Sequence, residues 1–170
     1  MSTPLWNKIY PEEEKKRIAV LASQNDKLED LLKSKREGVN KRLDPIWQAI
    51  YQRNFTMNNS KQIVDAQAEV LSLRQEINDN IGVYSQRLAK SKSDSALLSQ
   101  EKFLLYSTNF GLKTNLGEKK LLIEGNLREN DRYSNLLEIH IEFLRETLKT
   151  LESYQYAIKN VIALIEYLGK

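Results

Sequence analysis

Cysteine is absent from the 170-residue chain, so no disulfide framework and no thiolate metal site can form. A single histidine, His140, excludes His-clustered metal sites as well. Six glycines and three prolines are far fewer than the turns of an all-β protein require. No run approaches the roughly eighteen apolar residues of a membrane-spanning helix, and the N-terminus lacks the basic-then-apolar plan of a secretory signal. Charge of one sign is also scarce. Lys and Arg number 26 against 23 Asp and Glu, a net charge of +3 that is too mild to announce a nucleic-acid partner. These absences lead us to expect an intracellular, cytoplasmic protein, the nucleus being compatible, neither secreted nor membrane-spanning.

What is present is helical periodicity. From Leu116 to Ile165, alternate steps of four and three land on Ile123, Leu127, Leu137, Ile141, Leu144, Leu148, Leu151, Ile158, Ile162 and Ile165. That is the spacing of a helix burying one seam against another helix. One helix over Leu116–Leu168 would be roughly 80 Å long at 1.5 Å per residue. Polar residues sit on the same steps at Lys120, Asn130, Ser134 and Gln155, and the first three thin the seam between about 120 and 135, where we expect a hinge or an open partner groove.

Upstream, Met1–Tyr10 holds Leu5, Trp6, Ile9 and Tyr10, a tail that either packs on the helices or docks to a partner. Pro11 followed by Glu12, Glu13 and Glu14 suits a helix start. A first long helix reads Ile18, Leu21, Asn25, Leu28, Leu32, Lys35, Val39. Asp44-Pro45 predicts a new helix or a kink, and Ile46, Trp47, Ile50, Tyr51 and Phe55 read as an aromatic plug at a bundle end. Ser60 caps the next helix, in which Ile63, Val70, Ile77 and Tyr84 recur at sevens beside Ala66, Leu73, Ile81 and Leu88; its other faces are rich in Gln, Asn and Ser. Ser91–Ser95 predicts a loop, with Asp94 capping the next helical segment. Residues 103–123 fit either a helix or a short β-hairpin, and the unbroken register favours helix.

No Gly-rich phosphate loop, paired catalytic acids or nucleophile motif appears. His140 lies between seam positions beside Ile139 and Ile141, with Glu138 and Glu142 nearby, and a helical flank offers no cleft for a general base. Carboxylates recur three or four residues from cations, as in Glu142 to Arg145 and Glu146 to Lys149, which is surface pairing. Basic clusters occur at Lys15-Lys16-Arg17 and at Lys33, Lys35, Arg36, Lys41 and Arg42, and these last five are the candidate contacts with an anionic surface, although acidic residues interrupt them.

The sequence therefore predicts an all-α chain: an elongated antiparallel helical bundle or coiled coil of three to four long helices. Residues 1–10 form a tail or docking segment and 11–170 one helical domain with a weak break near 91–95. The expected function is that of a non-enzymatic structural or adaptor subunit, without cofactor, metal or small-molecule substrate. It would assemble into a homodimer or larger complex through the seams of Leu137, Ile141, Leu144, Leu148, Leu151, Ile158, Ile162 and Ile165 and of Ile63, Val70, Ile77 and Tyr84. The alternative is a peripheral membrane-binding helical module that uses the basic faces, a BAR-like dimer or a membrane-trafficking tether or regulatory bundle. The likeness to the BAR type is one of outline alone, carried by no motif.

Overall fold

The computed structural model describes residues 12–51, 60–108 and 116–168. They form three α-helices: α1 (Glu12–Ile50), α2 (Ser60–Thr108) and α3 (Leu116–Leu168), of 39, 49 and 53 residues. No strand occurs among the described residues, so the chain is an all-α helical bundle of three helices. The N-terminal segment with Leu5, Trp6, Ile9 and Tyr10 lies outside the described residues, as does Phe55.

Local chemistry accounts for the helices. Glu12, Glu13 and Glu14 occupy the first turn of α1, where carboxylates favour the positive end of the helix dipole. Asp44-Pro45 starts no new helix; Pro45 sits inside α1 and forfeits the N–H that would bond the Lys41 carbonyl. The helical geometry nevertheless carries on to Tyr51, whose N–H donates to the Trp47 carbonyl at 3.0 Å. The predicted loop at Ser91–Ser95 is likewise helix, internal to α2. Ser91 and Ser95 fall on the continuing 3–4 steps after Leu88, and Ser91 shares a 2.9 Å hydrogen bond with Ser134 of α3. A step occupied by a hydroxyl partner looks like a break only when apolar residues alone are counted. The hairpin reading of 103–123 is replaced by the end of α2 and the start of α3, with 109–115 outside the described residues.

In the structure the chain groups into two compact units, each containing part of every helix. Unit 1 comprises residues 12–31, 86–108 and 116–138, and unit 2 comprises 32–51, 60–85 and 139–168. In unit 1, Arg17 and Asn25 of α1 meet Asn126 and Glu129 of α3, so those segments run parallel. Ser91 and Tyr106 of α2 meet Ser134 and Asn126, so α2 runs the opposite way. Unit 2 has the same directions by its own contacts: Arg42 with Glu69 and Lys35 with Tyr84 between α1 and α2, and Arg74 with Glu152 and Tyr84 with His140 between α2 and α3.

The two cores differ in chemistry. Unit 2 is mainly apolar, with Leu32, Ile46, Ile63, Val70, Leu73, Ile77, Leu144, Leu151 and Ile158 buried alongside His140 and Thr147. Unit 1 buries Tyr106, Ile123 and Leu137 among Asn25, Asn126 and Ser134. Leu151→Ala, at a fully buried site, is expected to cost about 2–5 kcal/mol, whereas Leu164→Ala, at an exposed one, should change stability by less than about 0.5 kcal/mol. Gly38, where an added Cβ meets nothing within 4 Å, should gain about 1 kcal/mol as Gly38→Ala. Urea midpoints followed by helicity check all three.

Candidate functional site

The predicted seam is closed within the chain itself. Ile63, Val70, Ile77, Tyr84, Leu137, Ile141, Leu144, Leu151 and Ile158 are buried, while Leu148, Ile162 and Ile165 are half-buried. Their burial is supplied by the protein's own helices, so the apolar stripe assigned to a partner is not an open surface.

His140 belongs to unit 2 and is only 2% exposed. It lies one step off the seam because α3 touches two other helices and must bury a face wider than a single 4-3 row. Ile139, expected to be buried beside it, turns outward and is exposed. The Tyr84 ring meets the imidazole edge-on at 4.7 Å between centroids, and Phe143 lies nearly parallel at 6.3 Å. Lys35 donates to the Tyr84 hydroxyl at 2.9 Å. Burial, then the charges of Arg36 and Lys35, push the imidazole down to about 4. His140 Nδ1 has no hydrogen-bond partner, and no carboxylate orients the ring. The geometry is that of a neutral aromatic core residue.

Unit 1 holds a polar layer that apolar counting does not detect. The Asn25 amide donates to the Glu129 carbonyl at 2.8 Å and to Glu129 Oε2 at 3.0 Å. Asn126, fully buried, donates to the Tyr106 hydroxyl and to the Leu122 carbonyl. Burial alone would raise the Glu14 carboxyl; hydrogen bonds from Arg17 (2.8 Å) and Lys102 (3.1 Å) outweigh it and hold the group below its ordinary value. Beside this layer a cleft of about 440 Å³ opens where the seam was expected to thin, lined by Asn25, Ser91, Glu129, Asn130 and Tyr133 among others. Asn130 Oδ1 is buried there without a partner.

The aromatic plug is divided. Ile46 and Ile50 are buried, but Trp47 and Tyr51 are 52% and 57% exposed. Being one residue further on, they point about 100° around the helix. Their rings are in contact, tilted by 35° with centroids 5.3 Å apart. A second cleft, of about 470 Å³, has Ile46, Ala49 and Ala66 in its apolar lining and Asp65 and Glu69 among its polar residues.

Two of the five basic residues, Arg42 and Lys35, are committed within the fold. Arg42 pairs with Glu69 at 2.7 Å and also with Glu76, while Lys35 is held by Tyr84. Lys33 and Lys41 are exposed among exposed Asp30, Glu37 and Asp44, and Arg36 is half-buried. Among the described residues no group of three or more His, Cys, Asp or Glu could hold a metal, and no helix is long and apolar enough to cross a membrane. Comparison with protein families, with curated proteins and with solved structures finds no match.

The buried imidazole sets a pH dependence. Unfolded, His140 takes a proton near pH 6.5; folded, it resists until about 4. Between those values the unfolded state holds more protons, so stability falls as pH drops through 6.5 to 4, by about 3 kcal/mol at most. His140→Phe should flatten this part of the stability–pH curve, as read from urea midpoints.

Proposed function

We propose that the protein is a non-enzymatic structural or adaptor subunit that assembles through its helices into a homodimer or larger protein complex. The observation that carries this reading is the exposed pair of aromatic rings, Trp47 and Tyr51, tilted against each other. It stands outside a core that is already filled and near the cleft formed by Ile46, Ala49 and Ala66. Tryptophan and tyrosine are enriched at the energetic centres of protein interfaces, because each offers a large rigid area at little entropic cost. Single exposed apolar residues are ordinary; two exposed aromatic rings in contact, near a cleft of mixed apolar and polar lining, form a surface suited to a partner.

A membrane-surface role has weaker support, since Arg42 and Lys35 are engaged within the chain and the free lysines alternate with acids. Reversing Lys33, Lys35 and Arg36 to glutamate is expected to leave sedimentation with anionic vesicles unchanged.

The test of assembly combines light scattering of the full chain across a dilution series with in-cell chemical crosslinking. Heavier species, loosened in a Trp47→Ala, Tyr51→Ala double variant of unchanged helicity, are expected. A mass of one chain, 19.8 kDa, at every concentration together with no crosslinked protein would overturn the reading.

A further inference from the structure

In unit 2, α1 brings one acid and two aromatic rings onto a single line. Asp44, Trp47 and Tyr51 follow one another by three and four residues, so their side chains are neighbours on the helix surface, and all three are exposed. Across from them on α3, Tyr154 is half-buried. Burial raises the pKa of its hydroxyl, and the nearby Tyr51 and Asp44 raise it further. The acid and both tyrosines therefore form one cluster where α1 meets α3, with Trp47 tilted against Tyr51.

What the cluster lacks is a cation. Other rings of the same unit have one: Lys35 lies over Tyr84 at 5.5 Å and Lys159 over Tyr156 at 5.8 Å. Among the described residues none lies over Trp47 or Tyr51, and none forms an ion pair with Asp44. Lys41, one turn back on α1, is exposed and leaves Asp44 unpaired. On α3, Lys149 is held by Glu146 at 2.6 Å.

A ring face beside an unpaired carboxylate favours a cation that can use both. A guanidinium stacks flat on an aromatic face and keeps its in-plane N–H donors for a carboxylate. An ammonium is a more strongly hydrated point charge, so it gains less from the rings. A phosphate surface, whether lipid or nucleic acid, would meet Asp44 with like charge. A second copy presenting the same surface has no arginine to offer there. In unit 2, Arg42 and Arg74 are paired with glutamates, Arg145 with Glu142 at 3.8 Å, and Arg36 is half-buried.

We infer that Asp44, Trp47 and Tyr51, backed by Tyr154, form the docking site for an arginine side chain of a partner protein. This rests on the assembly reading and names what its aromatic surface receives. The guanidinium lies against the rings and donates to the Asp44 carboxylate, joining the residue types that dominate interface energetics.

The chain has two tryptophans, so in full-length Trp6→Phe protein the tryptophan emission comes from Trp47 alone. Titration with the peptide acetyl-Gly-Arg-Gly-amide at low salt should change that emission saturably. The citrulline counterpart keeps the shape without the charge and should bind at least about tenfold more weakly. Asp44→Asn, at unchanged helicity, should weaken the arginine peptide about fivefold. Equal responses to the two peptides, or indifference to Asp44→Asn, would overturn the inference. In cells, Asp44→Lys should deplete the crosslinked species as the Trp47→Ala, Tyr51→Ala double variant does. Species lost in the double variant but intact in Asp44→Lys would remove the arginine contact and leave the assembly reading standing. A purified chain whose dimer mass is lost with Trp47→Ala would give the surface to a second copy, again against the partner's arginine. A chain that neither grows heavier nor crosslinks would remove the assembly reading and this site's partner together.

Discussion

An amphipathic helix of fifty residues is not stable in water until its apolar stripe is covered, and every feature of this protein answers to that requirement. In each unit the cover comes from two other helix segments, so each segment needs a face wider than one row. On α3 this explains why His140, Thr147 and Asn126 are buried beside the regular steps of Ile123, Leu137, Ile141, Leu144 and Leu151. A histidine in that position is desolvated from all sides, with two cations nearby. Its lowered proton affinity follows from packing.

Much of this was legible in the sequence. The phase of α3, the sevens of Ile63, Val70, Ile77 and Tyr84, the start of α1 at its glutamates and the all-α class follow from spacing alone. Three features were not, each for a physical reason. Ser91 resembles a break because serine scores as polar, yet a small side chain with a hydroxyl partner, here Ser134, lets two helices approach closely. Pro45 resembles a boundary because its ring removes one backbone bond, yet buried Ile46, Ala49 and Ile50 hold the turn in place. Trp47 resembles core because it is large and apolar, while the 100° step beyond Ile46 sends it outward. Periodicity also says that a stripe needs cover without saying whose, and here the chain's own helices provide it.

Basic residues illustrate the same limit. Lys33, Lys35, Arg36, Lys41 and Arg42 form a cluster only along the chain. In the fold Arg42 is committed to Glu69 and Glu76, and in unit 1 Arg132 joins Asp26 and Glu29 at 2.7 and 2.9 Å. Exposed pairs of this kind contribute little stability each. They do decide which charges remain available to the outside, and the answer differs from the one that counting residues gives.

The polar layer of unit 1 has a different use from stability. A slip of α2 against α3 by one helical step would leave apolar residues roughly covered, because the 4-3 pattern repeats. It would also separate the Asn126 amide from the Tyr106 hydroxyl and the Ser91 hydroxyl from Ser134. Each buried group left unpaired costs about 1–3 kcal/mol, a penalty that apolar contacts alone do not impose on the wrong register. Asn25 does the same between α1 and α3, where its amide reaches both the carbonyl and the carboxylate of Glu129. In this unit the apolar stripe supplies the adhesion, and these few hydrogen bonds fix which turn of each helix meets which.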